Sequence, residues 1–261
     1  MTILDQIVKD KKAEIALKKS TVPLRQLEQS ALFERDTFSL KDRLAQSNSG
    51  IIAEHKRRSP SKSVINHSLS VQDVASGYEN AQVSGMSVLT DGKYFGGSLD
   101  DLIIARASCN LPLLRKDFTI DPYQIIEAKA YGADVILLIA SILSKSEIKQ
   151  YSALAKDLEL EVLLEVHNEE ELNKSLVETV DMIGVNNRNL KTFEVDLNIS
   201  KSLSDKIPDH YLKVSESGIS SVDAIKVLQN YGFQGFLIGE NFMKTNHPGK
   251  SATQFINDIE G

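Results

Sequence analysis

The chain has 261 residues, of which 41% are hydrophobic, and a formal net charge of −6. This length and apolar content suit one large domain, and the negative charge argues against general affinity for nucleic acid. The longest purely apolar run, residues 135–140, is too short to span a membrane, and the charged N-terminus has no apolar signal segment. The single cysteine, Cys109, fits a reducing cytoplasm. We therefore expect a cytoplasmic protein. If it binds an anion such as phosphate, the binding groups must be clustered locally, because the overall charge is negative.

Residues 1–46 precede the first predicted strand and are predicted to form helices. Thr2 and Asp5 have the spacing of a capping box, in which two side chains bond the backbone N–H groups at a helix start. Pro23 suits the start of a second, short helix, and residues 47–50 have the composition of a loop. We therefore expect residues 1–46 to be an N-terminal helical extension of the main fold.

From residue 51 onward, apolar runs alternate with segments of helical pattern. The starts of the apolar runs are roughly 20 to 35 residues apart, which is the length of a strand with its crossover helix. The predicted strands are Ile51–Glu54, Met86–Thr90, Leu113–Lys116, Val135–Ile139, Val162–Glu165, Met182–Asn186, Tyr211–Glu216 and Gly235–Gly239. The predicted helices between them are Val71–Gln82, Asp121–Ala130, Ser144–Leu158, Glu169–Leu176 and Ser221–Gln229.

This alternation predicts the fold class. Continuous apolar runs are typical of parallel strands that are buried on both faces. Eight such strands with crossover helices indicate a single (β/α)8 TIM barrel over residues 1–261, with the helical extension at its N-terminus. Gly132, Gly184 and Gly232 are predicted to lie where helices end or strands begin.

Several predicted strands end in charged or amide residues, and enzymes of this fold place their chemistry at those ends. Glu54 and Lys56 close the first strand and should point to the same side, with His55 pointing away. Lys116 ends the third strand and Glu165 the fifth. Each of these two could be a solvated surface charge, but together they suggest a lysine acting as general acid or Schiff-base nucleophile beside carboxylates.

The later strands carry groups that suit an anionic ligand. Asn186 and Arg188 follow the sixth strand, where an amide and a guanidinium can bind a carboxylate or hydroxyl groups, although a solvated turn is the alternative. The segments Ser217-Gly218 and Gly239-Glu240 follow strands seven and eight, the usual phosphate site of the architecture. His167 and Glu165 could share a metal, but two ligands are too few for a site.

These segments, in this order, resemble those of the indole-3-glycerol phosphate synthase family over nearly the whole chain. The segments that carry the resemblance are Ile51-Ile52-Ala53-Glu54-His55-Lys56-Arg57-Arg58-Ser59-Pro60-Ser61, Leu89-Thr90-Asp91, Leu114-Arg115-Lys116-Asp117-Phe118, Leu164-Glu165-Val166-His167, Gly184-Val185-Asn186-Asn187-Arg188-Asn189-Leu190, Ser215-Glu216-Ser217-Gly218-Ile219 and Leu237-Ile238-Gly239-Glu240. The first is highly specific to the family. Two departures are His55, where the family usually has an apolar residue, and Ser63, where a glycine is common.

The resemblance implies a ring closure in tryptophan biosynthesis. In that reaction 1-(2-carboxyphenylamino)-1-deoxy-D-ribulose 5-phosphate gives indole-3-glycerol phosphate, CO2 and water. It implies that Lys116 is the general acid and Glu165 the general base of dehydration, and that Lys56 and Arg188 hold the anionic substrate. The other implied site residues orient the reacting groups or line the pocket: Glu54, Asn186 and Glu216 for orientation, Ser59, Ser217, Gly218, Gly239 and Glu240 for phosphate, and Phe95, Phe118 and Leu137 for the aromatic ring.

The resemblance also sets expectations about partners. It implies no cofactor and no metal, because the ketone and amine of the substrate supply the electron sink. We expect a monomer or weak homodimer that contacts no nucleic acid or membrane, with possible contact to other tryptophan-pathway enzymes. The alternatives from the residues alone are a phosphate-binding isomerase, epimerase or Schiff-base aldolase, and a phospho-ligand sensor without catalysis.

Overall fold

The computed structural model describes residues 2–60, 62–190 and 192–261. Within these ranges eight parallel strands pair in chain order and close into a barrel, with the last strand beside the first. The strands are β1 Ile51–His55, β2 Gly85–Leu89, β3 Leu113–Lys116, β4 Val135–Ile139, β5 Glu161–Val166, β6 Met182–Asn186, β7 Leu212–Glu216 and β8 Gly235–Ile238. The prediction of a TIM barrel is confirmed, and no strand bound differs from its predicted position by more than one residue.

Helices surround the barrel and extend it at the N-terminus. They are α1 Ile3–Thr21, α2 Leu24–Glu28, α3 Leu40–Gln46, α4 Val71–Asn80, α5 Gly92–Phe95, α6 Leu99–Ser108, α7 Pro122–Ala130, α8 Lys145–Asp157, α9 Glu169–Ser175, α10 Asn198–Ser204, α11 Val222–Asn230, α12 Glu240–Met243 and α13 Pro248–Glu260. In the described part of the chain, no helix has the length and apolar character needed to cross a membrane. The five predicted barrel helices are present. No separate helix was predicted at α3, although it lies within the predicted helical extension, and α5, α6, α10, α12 and α13 were not predicted.

Two apolar layers hold the barrel together. Side chains that point inward, including Ile52, Leu114 and Leu163, form a core inside the barrel. The outward faces of the strands pack against the surrounding helices in a second, larger core. Because both faces of the strands are covered, the strands are mainly apolar runs rather than alternations of apolar and polar residues, as the sequence predicts.

Helix α3 closes the end of the barrel at which the strands begin. Its Leu40 and Leu44 are fully buried in the inner core. Gly85 and Gly235 leave space for them, since a Cβ on Gly85 would lie 2.5 Å from Leu40 and one on Gly235 would lie 3.2 Å from Leu44. The opposite end, where the strands terminate, is therefore the open end of the barrel.

Helix α1 lies at this open end. It begins at the predicted capping box, in which Asp5 N–H donates to Oγ1 of Thr2 (3.1 Å) and Thr2 N–H donates to Oδ2 of Asp5 (2.7 Å). Its buried residues are Ile7, Lys11 and Ile15, which share one face of the helix. A buried lysine on this face shows that charges as well as apolar contacts fix α1 to the barrel.

The glycine predictions are correct at two positions and wrong at the third. Gly132 and Gly232 follow α7 and α11 with φ of +86° and +81°, the left-handed conformation that favours glycine. Gly184 lies inside β6 instead of at its start. A Cβ there would lie 2.2 Å from Oε1 of Glu216. Gly184 thus makes room for a carboxylate on the neighbouring strand, which is a requirement of the site rather than of a turn.

Candidate active site

A cavity of about 370 Å³ opens among the carboxyl ends of the strands. All the site residues proposed from the sequence line it: Glu54, Lys56, Ser59, Phe95, Lys116, Phe118, Leu137, Glu165, Asn186, Arg188, Glu216, Ser217, Gly218, Gly239 and Glu240. Ser61, the last residue of the first motif, lies outside the described residues. The barrel therefore brings together groups that are up to 186 positions apart in sequence (Glu54 to Glu240).

Lys116 forms the centre of the charged floor of this cavity. Its Nζ donates to Oε2 of Glu216 at 2.6 Å and to Oε2 of Glu165 at 3.0 Å. Burial lowers the pKa of this lysine, but the two carboxylates and Glu54 outweigh burial and raise the pKa above its usual range. Lys116 is therefore an ammonium group in the resting site, with 14% of its side chain exposed toward the cavity.

The two carboxylates that bind Lys116 differ in proton affinity. Burial raises the pKa of Glu216 to about 7, and its Oε1 is buried with no hydrogen-bond partner among the described residues. Burial also raises the pKa of Glu165, but the charges of Lys116 and His167 and the Asn186 amide bring it below the ordinary value. Neighbouring carboxylates with separated pKa values are a recurrent arrangement for acid–base chemistry.

Glu54 and Lys56 lie on one side of the end of β1, as predicted. Lys56 Nζ is 2.6 Å from Oε1 of Glu54, and both side chains line the cavity. Gly239 permits this, because a Cβ on it would lie 2.5 Å from the same oxygen. His55 points away, is 1% exposed and does not line the cavity. Burial lowers its pKa to about 4, so it is a neutral core residue.

In the asparagine-rich turn after β6, some side chains line the cavity and others hold neighbouring strands together. Asn186 faces the cavity, bonds Glu165 and accepts the backbone N–H of Arg188 at 3.0 Å. Arg188 lines the cavity and donates to the carbonyl of Phe193 at 3.0 Å. Asn187 is fully buried and bonds Ser215, so it ties β6 to β7. The turn is therefore neither wholly functional nor a wholly solvated loop.

The ends of β7 and β8 form the side of the cavity predicted for phosphate. Ser217 and Gly218 both have positive φ, +67° and +78°, and Gly239 precedes α12, which starts at Glu240. The Glu240 carboxylate is 2.7 Å from Nζ of Lys62. That bond lowers the pKa of Glu240, and the more distant charges of Lys56 and Arg188 lower it further. Cations therefore cluster on this side of an otherwise acidic protein.

An apolar wall faces the charged floor. The rings of Phe95 and Phe118 have centroids 6.0 Å apart, and Leu137 lies below in the inner core. Sequence reasoning missed part of this wall, because Ile3, Leu4 and Ile7 of α1 also line the cavity. Their apolar spacing indicated a helix face, but nothing local to α1 indicates which surface that face covers.

Sequence reasoning also missed the buried ion cluster under α1. Nζ of Lys11 lies 2.8 Å from Oδ2 of Asp91 and 3.0 Å from Oδ1 of Asp117, at the ends of β2 and β3. Burial lowers the pKa of Lys11, but Asp117 and Asp91 raise it above its usual range. Asp117 directly follows Lys116, so this cluster connects α1 to the strand that carries the cavity lysine.

The suggested metal pair has other contacts. His167 Nδ1 is 3.1 Å from Oε2 of Glu171, and its Nε2 is 3.4 Å from Oε1 of Glu165. Among the described residues there is no group of three or more His, Cys, Asp or Glu side chains arranged to hold a metal ion.

The fold and site define the class of protein: a (β/α)8 barrel with a charged and apolar cavity at the carboxyl ends of its strands, where enzymes of this fold place their chemistry. Among solved structures, a 3-hexulose-6-phosphate synthase shares this fold with a TM-score of 0.61 and 14% identity, covering 80% of this chain and 99% of that one. Thiamine phosphate pyrophosphorylase from Pyrococcus furiosus has a TM-score of 0.59 and 14% identity, covering 85% of this chain and 100% of that one. These likenesses show the fold alone.

The sequence comparisons identify the family. The family model for indole-3-glycerol phosphate synthase matches residues 4–255. The indole-3-glycerol phosphate synthase of Bacteroides thetaiotaomicron is 45% identical over 258 residues, covering 99% of both chains. That of Acinetobacter baumannii is 41% identical over 253 residues, covering 97% of this chain and 94% of the relative. The chain belongs to the indole-3-glycerol phosphate synthase family.

Proposed function

We propose that this cavity catalyses the decarboxylating and dehydrating ring closure of 1-(2-carboxyphenylamino)-1-deoxy-D-ribulose 5-phosphate to indole-3-glycerol phosphate, a step of tryptophan biosynthesis. The observation that carries the proposal is the Lys116 ammonium, which lies between two carboxylates and faces an apolar wall. The cavity thus joins a proton donor, a proton acceptor and a site for an aromatic ring.

Lys116 supplies the proton of the first step. The aromatic carbon attacks the ribulose ketone, and the ketone oxygen needs a proton as the new bond forms. Glu216 and Glu165 keep Lys116 charged, so the proton is in place before substrate arrives. Because Glu165 and Glu216 hold the donor in place, it also stabilises the developing oxyanion.

Lys56 acts next, at the departing carboxylate. Its ammonium is held at the edge of the cavity by Glu54, so it can bind the substrate carboxylate while ring closure occurs. When the carbon–carboxylate bond breaks, its electron pair returns to the ring and CO2 leaves. Arg188 is the second cation on this side and can bind a carboxylate or phosphate in a bidentate manner.

Glu165 takes the last proton. Dehydration requires a proton for the departing hydroxyl, which the Lys56 ammonium can supply once CO2 has left, and removal of a proton from the neighbouring carbon. After Lys116 has given up its proton, its ion pair with Glu165 no longer lowers the pKa of Glu165, and Glu165 becomes a stronger base. Glu54, Asn186 and Glu216 orient these groups and the substrate hydroxyls.

The phosphate and the ring occupy opposite sides of the cavity in this proposal. The backbone at Ser217, Gly218, Gly239 and Glu240, with Ser59, binds the phosphate, while Phe95, Phe118 and Leu137 contact the ring. The net charge of −6 makes the general field repulsive, so affinity must come from these local donors and from Lys56.

The direct test is the appearance of indole fluorescence when purified protein is mixed with the carboxyphenylamino-deoxyribulose phosphate. We expect turnover that EDTA does not change. Loss of activity on chelation, restored by one divalent ion, would favour an epimerase. Trapping of Lys116 by borohydride with substrate would favour a Schiff-base aldolase.

We further propose that the protein works in the cytoplasm as a monomer or weak homodimer and contacts other tryptophan-pathway enzymes. The buried free thiol of Cys109 supports a reducing compartment. Light scattering across a range of protein concentrations, alone and with the neighbouring enzymes of the pathway, tests the state of association.

A further inference from the structure

A histidine lies behind the proposed base, outside the cavity. The two oxygens of Glu165 have different neighbours: Oε2 accepts from Lys116 at 3.0 Å, and Oε1 is 3.4 Å from Nε2 of His167. On its far side, His167 contacts Glu171 of α9. The side chains of Glu165, His167 and Glu171 are 6%, 12% and 15% exposed, so exposure increases from the cavity outward.

The contacts of Glu171 set the tautomer of the imidazole. Oε2 of Glu171 accepts the backbone N–H of His167 at 2.9 Å and lies 3.1 Å from Nδ1, while its Oε1 accepts from the Asn168 amide at 3.1 Å. A carboxylate only accepts hydrogen bonds, so Nδ1 must carry a proton. In the neutral ring, the lone pair of Nε2 then faces Oε1 of Glu165.

With the neutral ring in this tautomer, no proton lies between Nε2 of His167 and Oε1 of Glu165. Nε2 of His167 is buried and has no hydrogen-bond partner among the described residues. A lone pair facing a carboxylate oxygen is unfavourable, whereas a single proton between the two atoms makes a charge-assisted bond. Lys116 already binds Oε2, so Oε1 is the oxygen from which a proton could pass to His167.

We propose that His167 and Glu171 form a proton relay that restores the carboxylate of Glu165 during dehydration. This rests on the proposed function, in which Glu165 removes a proton from substrate carbon. The C–H bond breaks and its electron pair forms the indole double bond, while the C–O bond breaks as the hydroxyl takes a proton from the Lys56 ammonium and leaves as water. Glu165 gains an O–H on Oε1. That proton moves from Oε1 to Nε2, which leaves a Glu165 carboxylate and a His167 imidazolium balanced by Glu171. His167 is thus a positioning residue that acts through Glu165.

The charges around His167 suit a proton acceptor. Glu165 on β5, Glu171 on α9 and Glu216 on β7 face it, and Lys116 on β3 lies beyond Glu165. Burial lowers the pKa of His167, but Glu171 and Glu165 outweigh burial and raise it above 6.5. The relay needs the neutral ring, so turnover should fall as the pH drops through this raised pKa.

The test compares pH–rate profiles of wild type, His167→Gln and Glu171→Gln, with His210→Gln as a matched control at the far end of β7, where His210 is exposed. We expect His167→Gln to lower kcat on the order of 10-fold, less than loss of a direct acid–base group. KM should change less than twofold. The fall in turnover at low pH that reports protonation of His167, the acidic limb of the profile, should disappear. Glu171→Gln should move that limb to lower pH, because the imidazolium loses its partner.

The same measurements distinguish a failure of the relay from a failure of the proposed function. If wild type forms indole and Glu165→Gln does not, but His167→Gln keeps the wild-type limb and loses kcat equally at every pH or not at all, the relay is wrong and the function stands. If wild type forms no indole, the proposed function itself fails. Melting temperatures of all variants, measured at each pH, show whether a loss comes from unfolding instead.

Discussion

Two buried lysines lie near the open end of this barrel, and their surroundings differ in one respect. Lys116 has Glu165 and Glu216 within 3.0 Å, and Lys11 has Asp91, Asp117 and Glu14 within the same distance. The carboxylates raise both pKa values above the usual range despite burial. However, Lys116 is 14% exposed to the cavity, whereas Lys11 is 2% exposed and lies on the buried face of α1.

The carboxylates around Lys11 and Lys116 differ in how completely their hydrogen bonds and ion pairs are satisfied. Asp117 has Lys11, Arg115 and Thr90 as partners, and although burial raises its pKa, the two cations keep it below the ordinary range. One oxygen of Glu216 has no hydrogen-bond partner in the part of the chain that the structure describes, and burial raises the pKa of Glu216 to about 7. A satisfied cluster fixes structure, while an incompletely satisfied one beside a cavity leaves places for substrate atoms and protons.

Loss of the cavity lysine should have the largest effect on catalysis. Lys116→Ala removes the proposed proton donor, and we expect kcat to fall by about 10²–10⁴-fold. The carboxylates left behind face the cavity, and one can bind a proton, so the variant should still fold. Steady-state indole fluorescence measures the loss. A variant that keeps more than a tenth of the wild-type kcat would show that Lys116 is not the acid.

Loss of Lys11, the buried lysine of α1, should lower the stability of the fold rather than the rate of catalysis. Lys11→Met leaves Asp91 and Asp117 buried without their shared cation, and breaking such a pair costs about 3–5 kcal/mol. We expect this loss in the free energy of unfolding by urea titration, with kcat within about threefold of wild type at a temperature where the variant is folded. If kcat fell as far as in Lys116→Ala, with stability unchanged, the assignment of the two clusters would be reversed.

The phosphate end offers a third comparison, with a predicted rise in KM. Gly218→Asp adds a negative charge where phosphate should bind, and we expect KM to rise more than tenfold and competition by inorganic phosphate to be lost. Any Cβ here would meet Val195 at 2.1 Å, in a backbone conformation with φ of +78°. Gly218→Ala is therefore the matched control, since it has the same strain without the charge.

The location of the control decides what the result means. Gly132→Ala, after α7 and away from the cavity, adds strain elsewhere and should leave KM unchanged. If Gly218→Asp and Gly218→Ala have equal KM values, strain explains the effect and phosphate binds elsewhere.

The smallest predicted effect concerns pH and the incompletely satisfied carboxylate. Because the pKa of Glu216 is raised in the folded state, protonated Glu216 stabilises the fold below about pH 4.5, and this contribution is lost as the pH rises through about 7. Glu216→Gln should therefore be more stable than wild type at pH 8, on the order of 1 kcal/mol, but not at pH 4. Urea titrations at both values test this. Lower stability than wild type at pH 8 would show that the ionised carboxylate is favourable.

The sequence was a good guide to the barrel and the cavity for a local reason. The strands are mainly apolar runs, and in several of them a charged or amide residue such as Glu54, Lys116 or Glu165 marks the end. Parallel strands place such ends together, so local signals sufficed to group the site residues. The short helix α3 was missed because seven residues with two buried leucines give little periodicity.

The buried ion cluster under α1 could not be predicted from such local signals. Lys11 is one of several lysines in α1, and only its contact with Asp91 and Asp117, about a hundred positions away, separates it from its neighbours. Gly184 was misplaced for a similar reason, since the atom that excludes a side chain there belongs to Glu216. Such features depend on contacts between strands and helices that are distant in sequence.

In the proposed reaction Lys116 and Glu165, although 3.0 Å apart, act on different steps. A single turnover of Glu165→Gln, followed by CO2 release and by indole fluorescence, tests this most directly. We predict CO2 release at a rate close to that of wild type, with indole fluorescence delayed by about 10²-fold or more, because the base is needed only for dehydration. Loss of both signals by the same factor would contradict this, since Glu165 would then act before the carboxylate leaves.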